Sequence, residues 1–259
     1  MDLGIAGRKA IVCASSRGLG RGCATALAAA GCTVVVNGRD ETALAATAEA
    51  ISRATGAEVT AVACDVGEAA GRAALLAACP EPDILVNNNG GPPPRDFRAV
   101  THEAMLSGLN ANMMAAVALV QAVVDGMVAR RFGRIINITS ASVKMPLAGL
   151  DLSSGARAGL TAFLAGVARE VAHANVTINH ILPGSFDTDR LKTSMTRMAE
   201  LKGLDIATLR KERERAIPAR RFGTADEFGA LCAFIASVHA GYITGQNFLI
   251  DGGAFPGAF

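Results

Sequence analysis

The sequence predicts an α/β fold in which a parallel sheet carries helices on both faces. Short runs rich in Val and Ile alternate with longer segments of helical period, which is typical of successive βαβ units. The runs are almost wholly apolar, and strands of that kind are covered on both faces. A glycine-containing turn also follows the first run, where such folds bind ligands.

Seven predicted strands follow one another along the chain. They are "KAIVCA", "CTVVVNG", "EVTAVACD", "DILVNNNG", "GRIINITS", "VTINHILPG" and "QNFLIDGG". The segments between them are long enough for crossover helices, and they begin near Gly18, Asp40, Gly67, Thr101, Leu152, Thr188 and Thr224.

Composition indicates one cytoplasmic domain, residues 1–259. The chain has 259 residues, 51% of them hydrophobic, and no disordered linker divides it. Its 25 basic and 23 acidic residues are interspersed, so nucleic acid is not an expected partner. Six single cysteines and four dispersed histidines predict free thiols and no metal site. We expect no membrane span, since no stretch of about 20 apolar residues is evident.

A phosphate-binding turn is predicted after the first strand. Gly18 and Gly20 in "CASSRGLGRGCA" open a helix whose amides can approach a pyrophosphate, although two such glycines can also serve only the turn. The second strand ends in Asn37-Gly38-Arg39, where an acidic residue would bind the ribose of NAD. Arg39 and Arg17 favour the 2′-phosphate of NADP(H); the alternative is two solvated arginines.

These motifs, with "NNNG", "IINITS", "PGSFDT" and "YITGQNFLIDGG", resemble the short-chain dehydrogenase/reductase family from about Gly4 to Gly253. The 3-oxoacyl-acyl-carrier-protein reductase branch is the most similar. The resemblance implies a Rossmann-like doubly wound sheet in the order 3-2-1-4-5-6-7, a homotetramer, and a substrate lid over 185–217. It also implies a cofactor site formed by Ser15, Ser16, Arg17, Gly18, Leu19, Gly20, Asn37, Arg39, Asp65, Val66, Asn88, Asn89, Gly90, Arg157, Pro183, Gly184 and Thr188.

The catalytic positions depart from the family's pattern. The family's serine falls on Ser140 and its asparagine on Asn112, but its tyrosine falls on Ser153 and its lysine, four residues later, on Arg157. No other register supplies a phenol, because the one tyrosine, Tyr242, belongs to another motif. Serine is a far weaker acid than a phenol, and a protonated guanidinium cannot relay protons.

Other residues of interest have ordinary alternatives. Lys144 and Asp151 are the nearest substitutes for the missing acid, although a surface-loop role is favoured for both. In the lid, Leu191, Met195, Met198 and Leu201 recur at helical spacing, which favours packing over substrate contact. The family's first loop glycine is Ala14, and its "NNAG" has become "NNNG" through Asn89.

Two hypotheses of function follow. The first is an NADP(H)-dependent oxidoreductase that acts on a carbonyl or alcohol substrate, apolar or acyl-type, with an atypical Ser153 and Arg157. The second is a catalytically silent NADP(H)-binding protein or regulatory subunit. Non-redox chemistry in the same cleft is a third possibility.

Overall fold

Seven parallel strands form one sheet in the computed structural model, which describes residues 1–258. The strands are β1 (Lys9–Val12), β2 (Thr33–Gly38), β3 (Val59–Ala63), β4 (Ile84–Asn87), β5 (Gly133–Ile138), β6 (Val176–Pro183) and β7 (Asn247–Ile250). Their order is β3-β2-β1-β4-β5-β6-β7, so the predicted topology is confirmed.

The helices begin close to the predicted positions. They are α1 (Gly18–Ala29), α2 (Glu41–Thr55), α3 (Ala69–Ala78), α4 (His102–Leu109), α5 (Ala115–Arg130), α6 (Asp151–Val171), α7 (Asp189–Lys202), α8 (Ile206–Ala216) and α9 (Ala225–Ala236). Asp40, Thr101, Thr188 and Thr224 each cap the helix that follows, because their side-chain oxygens accept a first-turn amide hydrogen.

Helices cover both faces of the central strands. Ala10 and Val12 of β1 pack into the core cluster that α1 and α9 close, whereas Ile11 packs into the cluster closed by α5 and α6 on the opposite face. The prediction that the apolar strands are covered on both faces is therefore confirmed for the middle of the sheet. At the edge, Thr60 and Ala61 of β3 are exposed, so continuous coverage does not extend to the outer strand.

Helices α4 and α5 are joined through a π-helical segment, Asn110–Met114, into one continuous helix. That helix, His102–Arg130, has 29 residues and is long and apolar enough to cross a membrane. The expectation that no such stretch exists is therefore wrong by length and composition. In the fold the helix lies along β4 and β5 and beside α6, with Leu119 and Val123 buried against them. A buried helix of an α/β fold can have the same apolar composition as a membrane-spanning helix.

The chain between β6 and α9 folds into two helices, α7 and α8, with their own small apolar core. Met195, Ala199 and Leu209 are buried there, and Leu191 and Met198 pack against them. The packing interpretation is thus confirmed for Leu191, Met195 and Met198, but Leu201 is exposed because it lies on the outer side of α7.

Candidate active site

The turn after β1 is built around a close contact between backbone segments. A Cβ on Gly20 would lie 2.4 Å from the carbonyl oxygen of Ala14, so only glycine fits at that position. Gly18 has φ +58°, a conformation that glycine adopts without strain. Ala14, at the position of the family's first glycine, also has a positive φ of 45°, and its side chain makes that conformation strained.

Helix α1 begins at this turn with no side-chain cap and no acidic residue in its first turn. By contrast, α2, α4, α7, α8 and α9 all have a capping Asp or Thr. The first-turn amides of α1 therefore have no side-chain acceptor, and the positive end of the helix is open to an anion. This geometry suits a pyrophosphate.

Two residues predicted for the cofactor site use their side chains inside the fold. The buried Ser15 hydroxyl donates to the Val12 carbonyl oxygen at 2.7 Å and accepts from the Asn37 amide at 2.9 Å. The Asn37 side chain accepts from the Ala14 amide and donates to the carbonyl oxygens of Val62 and Cys64. These bonds fix the turn against β2 and β3, so the side chains of Ser15 and Asn37 are not available to a ligand.

The end of β2 is basic and open. Arg39 is exposed, and its guanidinium lies 3.7 Å from the Asp65 carboxylate. Arg17 is exposed on the neighbouring turn, and Ser16 lies against Gly38, whose Cβ would stand 3.2 Å from the Ser16 hydroxyl. Asp40 caps α2. The arrangement can bind a phosphate group between the two turns.

The π-helical segment holds the loop that follows β4. The amide of Asn112 donates to the Gly90 carbonyl oxygen at 3.1 Å, and the amide of Asn89 donates to the Ala111 carbonyl oxygen at 3.1 Å. Asn112 is buried, and its Oδ1 has no hydrogen-bond partner among the described residues. A buried acceptor without a partner is a position where water or a ligand binds, and π-bulges are frequent at functional sites.

Asn88 and Val66 border the same region. The Asn88 side chain donates to the Ala14 carbonyl oxygen at 3.1 Å, which joins the loop after β4 to the turn after β1. Val66 is buried and lines, with Asn112 and Arg157, a small cavity beneath this loop. The predicted residues from three separate strands therefore lie at one edge of the sheet.

Arg157 is buried beside the loop and the end of β5. Its Nη1 donates to the Ile138 carbonyl oxygen at 2.7 Å, its Nη2 to the Asn89 carbonyl oxygen at 3.2 Å, and its Nε to the Ser153 hydroxyl oxygen at 3.2 Å. Burial, and to a smaller degree the charge of Arg190, lowers the pKa of Arg157 to about 10. Arg157 is therefore a fixed positive charge at neutral pH.

Both candidate catalytic serines are oriented by a donor. Ser153 is buried and accepts from Arg157, and Ser140 accepts from the Ser142 amide at 3.1 Å. Neither hydroxyl donates to another group among residues 1–258. Because a hydroxyl has one proton, each serine is left able to donate a hydrogen bond to a ligand oxygen.

The alternative acids make no hydrogen bond to either serine among residues 1–258. Lys144 and Asp151 are exposed, and the Lys144 ammonium lies 5.9 Å from the centre of the Phe255 ring. Tyr242 is fully exposed in the segment before β7. Among residues 1–258, the structure therefore brings neither a phenol nor a buried carboxyl group to Ser153.

The end of β6 contributes the other wall. Pro183 ends the strand, and Gly184 packs so closely that a Cβ there would lie 2.6 Å from the Cβ of Asp251. Thr188 caps α7 and lies beside Gly18, at 3.5 Å from the position of a Cβ on that glycine. Thr188 therefore borders the predicted pyrophosphate position.

Arg190 at this edge is not predicted from the sequence, whereas Gly91 is expected at the edge but its contacts are not. A Cβ on Gly91 would stand 3.0 Å from the Arg190 Nη2 and 3.2 Å from the Ser153 Oγ, so Gly91 keeps a gap open between them. Arg190 is one residue past the start of α7, and only the packing of α7 against the β4 loop brings it there. Its sequence position, two residues after Thr188 in "PGSFDTDR", is the one available signal.

Comparison with known proteins decides the family. Residues 13–254 match the family described as enoyl-(acyl carrier protein) reductase. The 3-oxoacyl-[acyl-carrier-protein] reductase FabG of Vibrio harveyi is 32% identical over 259 residues, covering 98% of this chain and 99% of that protein. The chain belongs to the short-chain dehydrogenase/reductase family.

Two further relatives in this family are informative about the fold. The NADPH-dependent reductase BacG of Bacillus subtilis is 30% identical over 252 residues, covering 95% of this chain and 97% of that protein. The crystal structure of L-sorbose reductase from Gluconobacter frateurii, complexed with NADPH and L-sorbose, has a TM-score of 0.94 at 29% identity, covering 99% of this chain and 100% of that chain. The short-chain dehydrogenase/reductase fold thus extends over nearly the whole sequence.

Proposed function

We propose that this protein is an NADP(H)-dependent carbonyl reductase of the 3-oxoacyl reductase type, in which Ser153 and Arg157 occupy the positions of the family's tyrosine and lysine. One observation carries the proposal: Arg157 donates to Ser153, which leaves the serine proton free at the edge of the cofactor site. Relatives named as 3-oxoacyl and NADPH-dependent reductases support it.

The residues present fit NADP(H). The uncapped N-terminus of α1 would hold the pyrophosphate, and Arg39 with Arg17 would hold the 2′-phosphate. Asp65 and Val66 would border the adenine, and Asn88 to Gly90 with Arg157 would border the nicotinamide ribose. Ser15 and Asn37 would act through backbone geometry, because their side chains are used within the fold.

NADPH, when bound, supplies the hydride that the carbonyl carbon of the substrate accepts. As the carbon–oxygen π bond breaks, the substrate oxygen gains negative charge, and the hydroxyls of Ser140 and Ser153 donate hydrogen bonds to it. Arg157 stabilises the same charge through Ser153 and by its own positive charge. The oxygen then takes a proton that reaches it from water through Ser153, which regains its own proton.

The missing phenol is expected to slow this protein rather than abolish its activity. A positioned general acid contributes about 10²- to 10⁴-fold, whereas orientation of the reacting groups contributes up to about 7–11 kcal/mol. Because Arg157 keeps its proton at neutral pH, it acts as a fixed charge and not as a proton relay. Turnover is therefore expected to be slow and independent of any titrating acid between about pH 6 and 9.

A silent cofactor-binding protein is the second candidate. It is favoured by the single tyrosine, Tyr242, which is exposed away from the site. A protein of this kind would bind NADPH tightly and consume none of it with any carbonyl compound. The reductase proposal requires NADPH consumption that depends on Ser153.

Cofactor binding is tested by calorimetric titration with NADPH, NADP, NADH and NAD. We expect NADPH to bind at least 10-fold more tightly than NADH, and Arg39→Ala to remove most of that preference while Arg53→Ala, an exposed arginine on α2, leaves it intact. Absence of binding by all four nucleotides would overturn both candidates.

We also propose a cytoplasmic homotetramer. Met105 and Leu106 of α4, Met114 of the π-helical segment and Phe163 of α6 are exposed apolar side chains on neighbouring helices, which supports an interface there. Residues 185–217, which include α7 and α8, are the proposed substrate lid. Size-exclusion chromatography with light scattering tests the assembly, and a monomer at micromolar concentration would contradict it.

A further inference from the structure

Arg190 is a cation without an acidic partner at the mouth of the site. No carboxylate lies within 4.0 Å of its guanidinium among residues 1–258, and its one hydrogen bond goes to the Gly91 carbonyl oxygen at 3.4 Å. The two nearest acids in the sequence are already engaged: Asp187 pairs with Arg210 at 2.8 Å and Asp189 with Lys192 at 3.8 Å. The Arg190 guanidinium is therefore available to an anion.

The Arg190 side chain faces the reacting groups rather than the phosphate turn. Its Nη2 and the Ser153 Oγ lie 3.0 Å and 3.2 Å from the same point, the position of a Cβ on Gly91. The cleft beside Gly18 is lined by Thr188 and Asp189 but not by Arg190. A group bound to Arg190 would thus lie next to the oxygen that Ser153 contacts, on the side away from the predicted pyrophosphate.

The two guanidinium groups beside Ser153, those of Arg157 and Arg190, have the same charge. Arg157 donates to the Ser153 hydroxyl, the Arg190 Nη2 lies near the same hydroxyl across the gap at Gly91, and the charge of Arg190 adds to burial in lowering the pKa of Arg157. Lys144 and Asp151, the other charged residues near the serines, are exposed. Two guanidinium groups that have no carboxylate partner among the described residues favour a negatively charged ligand at a binding site.

We propose that Arg190 binds the carboxylate of the substrate, and that the substrates are 2-oxo or 3-oxo acids whose carbonyl oxygen lies against Ser153. The carboxylate and the carbonyl of such acids are separated by no more than one carbon, which matches the short gap at Gly91. This inference rests on the proposed reductase function, but it concerns binding and is testable apart from turnover. It assigns Arg190 a role in specificity.

The experiment is a calorimetric titration of the NADP-loaded protein, since the oxidised cofactor cannot reduce an oxo acid. The ligands are 2-oxo and 3-oxo acids of four to ten carbons, each with its methyl ester. We expect at least one acid to bind at least 10-fold more tightly than its ester. Arg190→Gln should weaken the binding of that acid by about 10- to 100-fold, leave its ester within about threefold, and leave NADP within about threefold.

Lys192→Gln is the matched control, because Lys192 is an exposed cation on the same helix and should change neither acid nor ester binding. Gly91→Ala should weaken both ligands by filling the gap. Equal affinity for acids and esters, no binding of any acid, or an equal loss of NADP affinity in Arg190→Gln would overturn the proposal. NADPH consumption with a neutral ketone, together with equal affinity for acids and esters, would contradict this inference while supporting the proposed function.

Discussion

Two buried arginines contact opposite ends of β5: Arg134 belongs to the strand, and Arg157 of α6 donates to its last residue. We compare them because Arg134 has a structural role, whereas Arg157 borders the candidate site. Arg134, at the amino end, is 1% exposed and Arg157, at the carboxyl end, contacts Ile138 and is 7% exposed. Burial, as the larger cause, lowers the pKa of each to about 10. The two arginines are alike in charge and burial, and they differ in the groups to which their guanidinium N–H groups donate.

Arg134 donates only to the framework. Its partners are the carbonyl oxygens of Ser237, Gly133 and Asn175 and the side-chain oxygen of Asn175, at 2.8–3.2 Å, and its guanidinium lies 4.4 Å from the centre of the Phe132 ring. Arg157 donates to two carbonyl oxygens and to the Ser153 hydroxyl beside a cavity. A buried arginine that orients a hydroxyl at the ligand edge of the sheet is therefore a candidate for chemistry, and burial alone is not the signal.

The largest effect is expected from Arg134→Ala. It leaves several buried carbonyl oxygens without donors and opens a cavity, so the free energy of unfolding should fall by about 3–5 kcal/mol. Urea unfolding measures this, with Arg98→Ala, an exposed arginine paired with Asp96, as the control that should change stability by less than about 1 kcal/mol. A loss below about 1 kcal/mol in Arg134→Ala would remove its structural role.

Arg157→Ala should lower activity more than stability, the opposite of the result expected for Arg134→Ala. We expect kcat to fall about 100-fold, because a fixed charge behind the reacting oxygen is lost. The free energy of unfolding should fall by less than in Arg134→Ala, because water can enter the adjoining cavity and satisfy the freed acceptors. Steady-state kinetics and urea unfolding of both variants make the comparison, and equal destabilisation with unchanged kcat would contradict it.

Ser153→Ala tests the donor itself. Removing one hydrogen bond to the developing negative charge should lower kcat about 10-fold or more, with little change in the dissociation constant for NADPH. Ser154→Ala is the matched control, since Ser154 is the next residue on α6 and its buried hydroxyl has no partner among the described residues. The prediction fails if the two variants behave alike.

Arg157→Lys should introduce a pH dependence that the wild type lacks. The pKa of Arg157 is about 10, so between about pH 6 and 9 its charge is constant and kcat should be flat. Burial of a lysine at the same place lowers the lysine pKa, so the charge is present at low pH and is lost as pH rises. Measured kcat in the variant should therefore decline toward pH 9, and a parallel decline in the wild type would contradict the fixed-charge role.

The smallest effect is expected at Ala14, on the cofactor side. Its φ of 45° is strained for alanine, whereas glycine adopts it freely. Ala14→Gly should raise the free energy of unfolding by about 0.5–1 kcal/mol after the entropy of the more flexible unfolded chain is subtracted. Thermal unfolding measures the change, and destabilisation would show that the Ala14 side chain supplies packing that outweighs the strain.

The sheet was predictable because each strand is a largely apolar run, and several helices start at a capping residue or a glycine turn. The seven strands, their order and the helix starts at Asp40, Thr101, Thr188 and Thr224 agree with the structure. The exposure of β3 was not predictable, because Thr60 and Ala61 have the same local character whether or not a neighbour covers them. The expectation that no segment is apolar enough to span a membrane was wrong at helix 102–130, because a buried helix and a membrane-spanning helix can have the same apolar composition.

The position of the candidate site was predictable from the sequence, but the hydrogen bonds within it were not. Short motifs place Ser140, Ser153 and Arg157 at one edge of the sheet, but residue spacing does not report which way a hydrogen bond runs. The locking of Ser15 and Asn37 into the framework depends on contacts between β1, β2 and β3. Arg190 and Gly91 are neighbours only because α7 packs across the loop after β4, a contact far apart in sequence.

The proposal that Ser153 and Arg157 replace the family's tyrosine and lysine in catalysis is tested by comparing NADPH oxidation by the wild type and by Ser153→Tyr/Arg157→Lys, using the oxo-acid panel and a set of neutral ketones. We predict turnover by the wild type that falls about 10-fold or more in Ser153→Ala and does not increase in the double variant, because the site is organised around Arg157 and a short hydroxyl. No turnover by the wild type, with tight NADPH binding and turnover that appears only in the double variant, would contradict the claim and establish the silent cofactor-binding alternative.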